Sequence, residues 1–298
     1  MSLRRFVGLA GLGVLLLLVV TVWLYPSAAH FQPRNPFWNG LRRLALEFDT
    51  IPINTFRDLP TSPQATTLVI IPYVPLTRGD LAATEGYLFQ GGTLVLMDDY
   101  GYGNQLLEYL GLEAHFSGKP LMDPLSNYKN QWFPRVTDIS PSIITEGVAG
   151  FTLNHASSLE GMAEFVVAAR SSAFSYLDLN GDLEWQAVEP TGPFPVAAYT
   201  RVGQGLLVLV SDPSLLINSM MDLDDNLAFI RNAIQVQGPV KQVFVDEGHL
   251  PKQTREEVRA VLEWGHIILA TPWGLGGVVL AILLFSLRPW PRKEHKLD

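Results

Sequence analysis

The sequence predicts an α/β fold, a mostly parallel open sheet with a β-rich extension, carried between two transmembrane helices. Three observations predict it. The stretch 207–234 passes from an apolar strand, LVLV, through Ser211, Asp212 and Pro213 into a helix opening near Asp224 or Asp225. Strand, acidic loop and helix in succession form the repeating unit of an open α/β sheet. Residues 68–73, 93–97 and 243–245 are further apolar runs of the kind that strands buried on both faces show. Uncharged runs at 6–25 and 267–287 are each long enough to cross a hydrocarbon core of about 30 Å as a helix.

In chain order, Asn35-Pro36 has the form of a helix cap followed by proline at the first helical position, predicting a helix over 36–48. Trp38, Leu41, Leu44 and Phe48 would share one of its faces. Residues 51–56 read as an edge strand, because Pro52 would interrupt an interior one. After the strand at 68–73, Thr77 and Asp80 have capping-box spacing and open a helix that Gly91-Gly92 ends. The strand at 93–97 runs into Asp98-Asp99, and a short helix over 103–110 stops at Gly111. This β-α-β-α succession argues for parallel strands with right-handed crossovers. Residues 117–135 form a long polar and aromatic loop, of a length that usually marks a functional lid or an insertion. From about 150 to 200 the pattern is β, at 151–153, 164–169, 174–179, 183–187 and 196–200, with Asn180-Gly181 as a hairpin turn. The strand at 243–245 ends at Asp246-Glu247, and 252–264 reads as an amphipathic helix.

Arg4 and Arg5 precede the first uncharged run, and Arg288, Arg292, Lys293 and Lys296 follow the second. Basic flanks lie on the cytoplasmic side. The expected arrangement is therefore a two-pass plasma-membrane protein with both termini cytoplasmic. Residues 1–25 would be the flank and first span, 26–266 an extracytoplasmic α/β domain, 267–287 the second span and 288–298 a basic tail. The rival reading is a cleaved signal peptide with Ser27-Ala28-Ala29 as its small-residue site. Signal peptides usually have an apolar region of about 7–15 residues, and this one is longer.

The chain has 298 residues, a net charge of −8 and no cysteine. The charge argues against a nucleic-acid role driven by phosphate neutralisation. The missing cysteine excludes a disulfide framework, a thiolate zinc site and a cysteine nucleophile. Ligands of open α/β sheets bind beyond the carboxyl ends of the strands. There the sequence places Asp98, Asp99 and Tyr100, then Asp212, then Asp246, Glu247 and His249. If these strands are neighbours, their acids converge and could take up a cation or a cationic or polyhydroxyl ligand. Asn218 and the loop residue Trp132 complete the candidate ligand-binding set. The plainer reading is that each acid caps the loop or helix that follows it. Asp178, Asn180, Asp182 and Glu189 fall at positions one, three, five and twelve of a calcium-type loop, but the sixth position is Leu183 rather than glycine. A hairpin accounts for them better. The histidines have no metal-ligand spacing, and no nucleophile elbow, P-loop or dinucleotide fingerprint occurs. No catalytic residue, metal or cofactor is expected.

Several stretches carry a family resemblance. They are Asn35-Pro36-Phe37, LVLMDDYGYGNQLLEYLGL at 94–112, Gly192-Pro193-Phe194-Pro195-Val196, RVGQGLLVLVSDPSLLINSM at 201–220 with Asp225-Asn226, and VDEGH at 245–249. Over nearly the whole chain these resemble uncharacterised prokaryotic membrane proteins with a domain of unknown function related to class I glutamine amidotransferases. The resemblance implies the flavodoxin-like amidotransferase fold. Enzymes of that fold carry a cysteine on a sharp turn after a central strand, where this chain reads Asp98-Asp99-Tyr100-Gly101, so the fold is implied without the chemistry. Similar domains occur in auxiliary subunits of gliding-motility-type transporters. Genes of the family commonly lie beside MoxR-type AAA ATPases, which implies such a system as a protein partner. The expected function is a non-catalytic, membrane-anchored extracytoplasmic component that binds within an envelope complex. The alternatives are a sensor for a small ligand or cation at the acidic strand ends and a carboxylate-dependent hydrolase.

Overall fold

The computed structural model describes residues 28–251, together with residues 6, 7, 10, 11, 13, 14, 17, 262 and 271. The chain divides into two compact units, one of Met1–Tyr25 with Lys252–Asp298 and one of Pro26–Pro251. The second unit is the α/β domain.

Helix α1 (Arg42–Phe48) and strand β1 (Ile51–Ile53) lead to β2 (Thr66–Ile70), α2 (Arg78–Phe89), β3 (Thr93–Met97) and α3 (Asn104–Tyr109). Short strands follow, β4 (His115–Phe116), β5 (Leu121–Met122), β6 (Arg135–Val136), β7 (Asp138–Ile139), β8 (Phe151–Thr152) and β9 (Leu159–Glu160). Then come β10 (Val166–Arg170), β11 (Tyr176–Leu177), β12 (Pro195–Val202) and β13 (Gly205–Val210). Helix α4 (Asn226–Ile234) and strand β14 (Gln242–Asp246) complete the domain.

The main sheet has eight strands in the order β1-β14-β2-β3-β13-β12-β10-β7. The first five are parallel, and the last three continue antiparallel to their neighbours. The sheet is thus mixed, which corrects the mostly parallel arrangement expected. Its centre is buried on both faces. Val69, Val95, Met97, Val208 and Val210 pack with Phe229, Ile230, Ala233 and Ile234 of α4. Leu68, Leu94, Leu96, Leu207 and Leu209 pack with Leu81 and Leu88 of α2 and with Leu106 and Leu107 of α3. Successive strand residues face opposite sides, so two covered faces demand an unbroken apolar run.

Local chemistry sets the helix ends. Thr77 and Asp80 form the reciprocal capping box that opens α2. After this helix a side chain at Gly92 would run into the Tyr87 ring, so the chain can turn tightly into β3 only with glycine there. Helix α4 begins at Asn226, whose buried carboxamide accepts from Thr152 N–H (2.8 Å) and donates to Thr152 O (3.0 Å) and Met220 O (2.9 Å). That side chain ties the helix to β8.

Several expectations are corrected. Asn35 accepts from Phe37 N–H (2.8 Å) but caps only a turn, and α1 starts at Arg42. The stretch 117–135 is not structureless. It contains β5 and the start of β6, and Asp123 accepts from Leu125 N–H (3.0 Å) and Ser126 N–H (2.7 Å). No hairpin forms at Asn180-Gly181. Asp178 takes the N–H groups of Gly181 (2.6 Å) and Leu183 (3.1 Å), while Glu189 takes those of Leu179 (2.9 Å) and Gln186 (3.0 Å). The donors a second strand would have used are spent on carboxylates.

The two transmembrane helices are also overturned. Among the described residues no helix is long and apolar enough to cross a membrane. The longest described helix, α2, has 12 residues, or roughly 18 Å at the usual rise against about 30 Å of hydrocarbon. The two-pass placement with an extracytoplasmic domain rested on uncharged runs and their basic flanks, a pattern that takes no account of what the apolar residues pack against. The runs at 6–25 and 267–287, apart from the few positions named, lie outside the described residues, as do nearly all of the helix expected over 252–264 and all of the tail 288–298.

Replacing Asn226 with alanine should strand Thr152 N–H and two carbonyls in the interior. The expected loss is about 2–4 kcal/mol of unfolding free energy, read from urea denaturation with unchanged m. A loss below about 1 kcal/mol would show that the clamp adds little.

Candidate functional site

The carboxyl ends of β2, β3 and β13 lie side by side, because β3 pairs with both of the others and Asp98 N–H donates to Val210 O (3.2 Å). This edge brings together Tyr73, Asp98, Asp99, Tyr100 and Asp212. Asp98 is buried and faces the loop before α3. Its carboxylate accepts from the N–H groups of Tyr100 (2.8 Å), Gly101 (3.0 Å) and Gly103 (2.5 Å). Gly101 sits at φ +90°, where a side chain would be strained, and a Cβ at Gly103 would come within 3.2 Å of Asp98 Oδ2. Burial raises the Asp98 pKa, and the three N–H groups counter it only in part.

Asp212 is fully buried and accepts from Asn154 N–H (2.6 Å) and Ser214 N–H (2.7 Å). Burial pushes it up to about 7 against these bonds. Asp99 is partly open to solvent. Burial, then the charges of Asp212 and Asp98, push it up to about 8, so at neutral pH it is largely a neutral acid able both to donate and to accept. Tyr73 is raised as well, by burial first and then by Asp99, and keeps its phenolic proton. Its ring lies 5.6 Å from Phe31 and 5.8 Å from Tyr100, which is 6.4 Å from Tyr102. The edge is therefore a row of aromatic rings beside a protonated carboxyl group.

Asp246, Glu247 and His249 form a second group at the end of β14, on the other side of β2. Asp246 accepts from Gly248 N–H (2.9 Å) and lies 2.7 Å from His249 Nδ1. His249 Nε2 is 3.5 Å from the Asp80 carboxylate. Burial opposes protonation of His249, but the bond to Asp246 and the charge of Asp80 outweigh it and raise its pKa. Glu247 N–H donates to Ile53 O (2.8 Å). Tyr73 N–H donates to His249 O (2.9 Å), a backbone link between the two groups.

The other two sequence candidates divide. Asn218 is a clamp, donating to Asn35 O (3.0 Å) and Phe37 O (2.5 Å) and accepting from Arg43 N–H (2.8 Å). Trp132 stacks on His155 at 4.4 Å, and the preceding residue is Asn154, whose N–H reaches Asp212. Trp132 thus approaches the strand ends through a segment remote in sequence. Sequence reasoning missed Tyr73, although it closes the strand at 68–73, and it missed Phe31, Asn154 and His155, for which no local signal existed. Among the described residues no group of three or more histidine, aspartate or glutamate side chains is placed to hold a metal. Ser211 is fully buried, and its hydroxyl has no hydrogen-bond partner to act as a base.

The raised acids set a sign for pH dependence. At about pH 3 and below, folded and unfolded carboxyls are both protonated and no penalty exists. As pH rises from about 3 towards 8, the unfolded chain loses the proton that Asp99 retains when folded, so this contribution to stability falls and then levels off. Asp99→Asn should match the parent near pH 3 and exceed it at pH 8. The gain should be roughly 2–4 kcal/mol, less than the whole shift implies because the group is partly open to water. Urea unfolding at the two pH values checks this, and equal stability at pH 8 would remove the inferred shift.

Comparison with solved structures finds distant likenesses. The mmIFT52 N-terminal domain is 15% identical, with a TM-score of 0.44 over 59% of this chain and 74% of that one. A putative ThuA-like protein from Bacteroides uniformis is 15% identical, with a TM-score of 0.40 over 61% and 74% of the two chains. A β-galactosidase from Bacillus circulans sp. alkalophilus is 13% identical, with a TM-score of 0.36; the match covers 58% of this chain and 23% of the enzyme. All three are too distant to bear on what this chain does. No curated protein matches. The model of the family described as a domain of unknown function, DUF4350, matches residues 33–234, more than half of the chain, and the protein belongs to that family.

Proposed function

We propose that this protein is a non-catalytic binding component of a larger assembly. One observation carries the reading: the acids at the strand ends serve the backbone. Asp98 is held by three N–H groups, Asp212 by two, and Asp246 by Gly248 N–H and His249. A carboxylate whose lone pairs are committed to its own loop is poorly placed to act as a nucleophile or base. The reading includes a relation to the class I glutamine amidotransferases in which the turn after β3 keeps its sharpness through Asp98, without a thiol. It also includes a protein partner, a MoxR-type AAA ATPase system in the first instance, supported by the family resemblance.

A second reading has a specific observation behind it. Asp99 stays protonated beside Tyr73 and Tyr100, a neutral donor–acceptor among aromatic rings. That chemistry suits an uncharged polyhydroxyl ligand better than a cation.

Full-length protein should give no turnover above blank with amide, ester, glycoside and phosphate substrates. Turnover that disappears in Asp99→Ala would overturn the non-catalytic reading. Thermal shift with a panel of neutral sugars, nucleotides and divalent cations separates the second reading. A shift produced by a sugar and lost in both Tyr73→Phe and Asp99→Ala supports a ligand site, whereas no shift across the panel removes it.

A further inference from the structure

Two loops far apart in sequence form one lobe of the domain. Strands β5 and β11 pair antiparallel, Gln131 Nε2 donates to Leu183 O (3.0 Å), and Tyr176 OH donates to Gln131 Oε1 (3.4 Å). From this lobe Phe174, Leu179, Trp185 and Val188 project into solvent, with Trp185 54% and Val188 82% exposed, and Leu125 in the loop after β5 is 70% exposed. Isolated exposed apolar residues are ordinary, but a cluster including a tryptophan marks an interaction surface.

The cluster is also held stiffly. Asp178 and Glu189 are buried and together fix four N–H groups between Leu179 and Gln186. Leu183 is kept at φ 67°, a left-handed conformation that a branched side chain adopts only under constraint. Two buried carboxylates therefore hold a strained loop whose apolar side chains remain about half exposed or more at Leu179, Trp185 and Val188. Such preorganisation lowers the entropy lost on docking.

Charge identifies the occupant. Residues 171–200 contain no lysine or arginine, and with Asp178 and Glu189 buried the acids this segment presents to solvent are Asp182 and Glu184. The one base of the loop between β5 and β6, Lys129, has its ammonium 5.0 Å from the Tyr128 ring centre. A second copy of this chain would set one acidic lobe against another, and an anionic lipid surface would be repelled in the same way. We propose that this lobe docks a protein whose facing surface is apolar and ringed by lysine or arginine. The inference rests on the binding-component reading and names the surface and partner chemistry for it.

The probe is a designed amphipathic leucine/lysine helical peptide, labelled for fluorescence anisotropy against the full-length chain. Leucine/glutamate and serine/lysine peptides of equal length serve as comparisons. The leucine/lysine peptide should bind, more weakly at higher salt, and the other two should not. Trp185→Ala combined with Val188→Ser should weaken binding about tenfold or more with an unchanged unfolding midpoint. Glu184→Lys should weaken it several-fold without altering the apolar patch, and Leu46→Ser, an exposed change in α1, should leave it unaltered. Equal binding by parent and both lobe variants would overturn the proposal, as would equal binding of the leucine/glutamate peptide. Self-association abolished by the lobe variants would place a second copy there and overturn it as well. Substrate turnover with peptide binding intact would instead count against the non-catalytic reading alone.

Discussion

Asp98 gathers three backbone N–H groups behind β3, and the same arrangement recurs along the chain. Asp123 orders the loop after β5, Asp178 and Glu189 fix the loop after β11, and Asp212 joins the end of β13 to the segment at Asn154. Asp225 accepts from Ala149 N–H (2.8 Å) and Gly150 N–H (3.3 Å) at the entrance to α4. These loops have no ladder to satisfy their donors, and a buried N–H without a partner costs about 1–3 kcal/mol. A carboxylate can satisfy two or three donors at once with charge-assisted bonds. The long connections of the β-rich half depend on this arrangement, as does the turn that closes the candidate site.

The arrangement has an electrostatic consequence. Taking a carboxylate out of water disfavours its charged form, and hydrogen bonds to it favour that form. At Asp98 and Asp212 burial is the larger effect despite the bonds. Asp99, near both of them, then meets two neighbouring carboxylates as well as partial burial. The fold therefore places Asp99 beside Tyr73 and Tyr100 as a largely protonated acid, held neutral by burial and by the two carboxyl groups behind it, where charge counting from sequence would give it a full negative charge.

Part of the site was legible in the sequence. An apolar run ending in acid located Asp98, Asp99, Asp212 and Asp246 at strand ends, because a doubly covered strand cannot hide a carboxyl group until it leaves the sheet. Their grouping was not legible. Asp98 and Asp212 meet because β13 pairs with β3, while Asp246 lies across β2, and strand order follows from long-range packing. Asn218, which reads as a possible ligand group, is consumed by Asn35, Phe37 and Arg43 from a segment remote in sequence. Asn180-Gly181 carries a strong hairpin signal, yet Asp178 and Glu189 captured the N–H groups that the second strand required.

The sequence by itself determined the α/β class, the central strands at 68–70 and 93–97, the capping box of α2 and the absence of thiol chemistry. These follow from local causes, which are side-chain periodicity, a hydroxyl and an acid three residues apart, and composition. Tertiary structure alone decided that the sheet is mixed, which acids share an edge, and which apolar residues of 174–188 remain uncovered. Each of those outcomes depends on a partner far along the chain. A side chain's neighbours set its burial and its charge, and local sequence does not specify them.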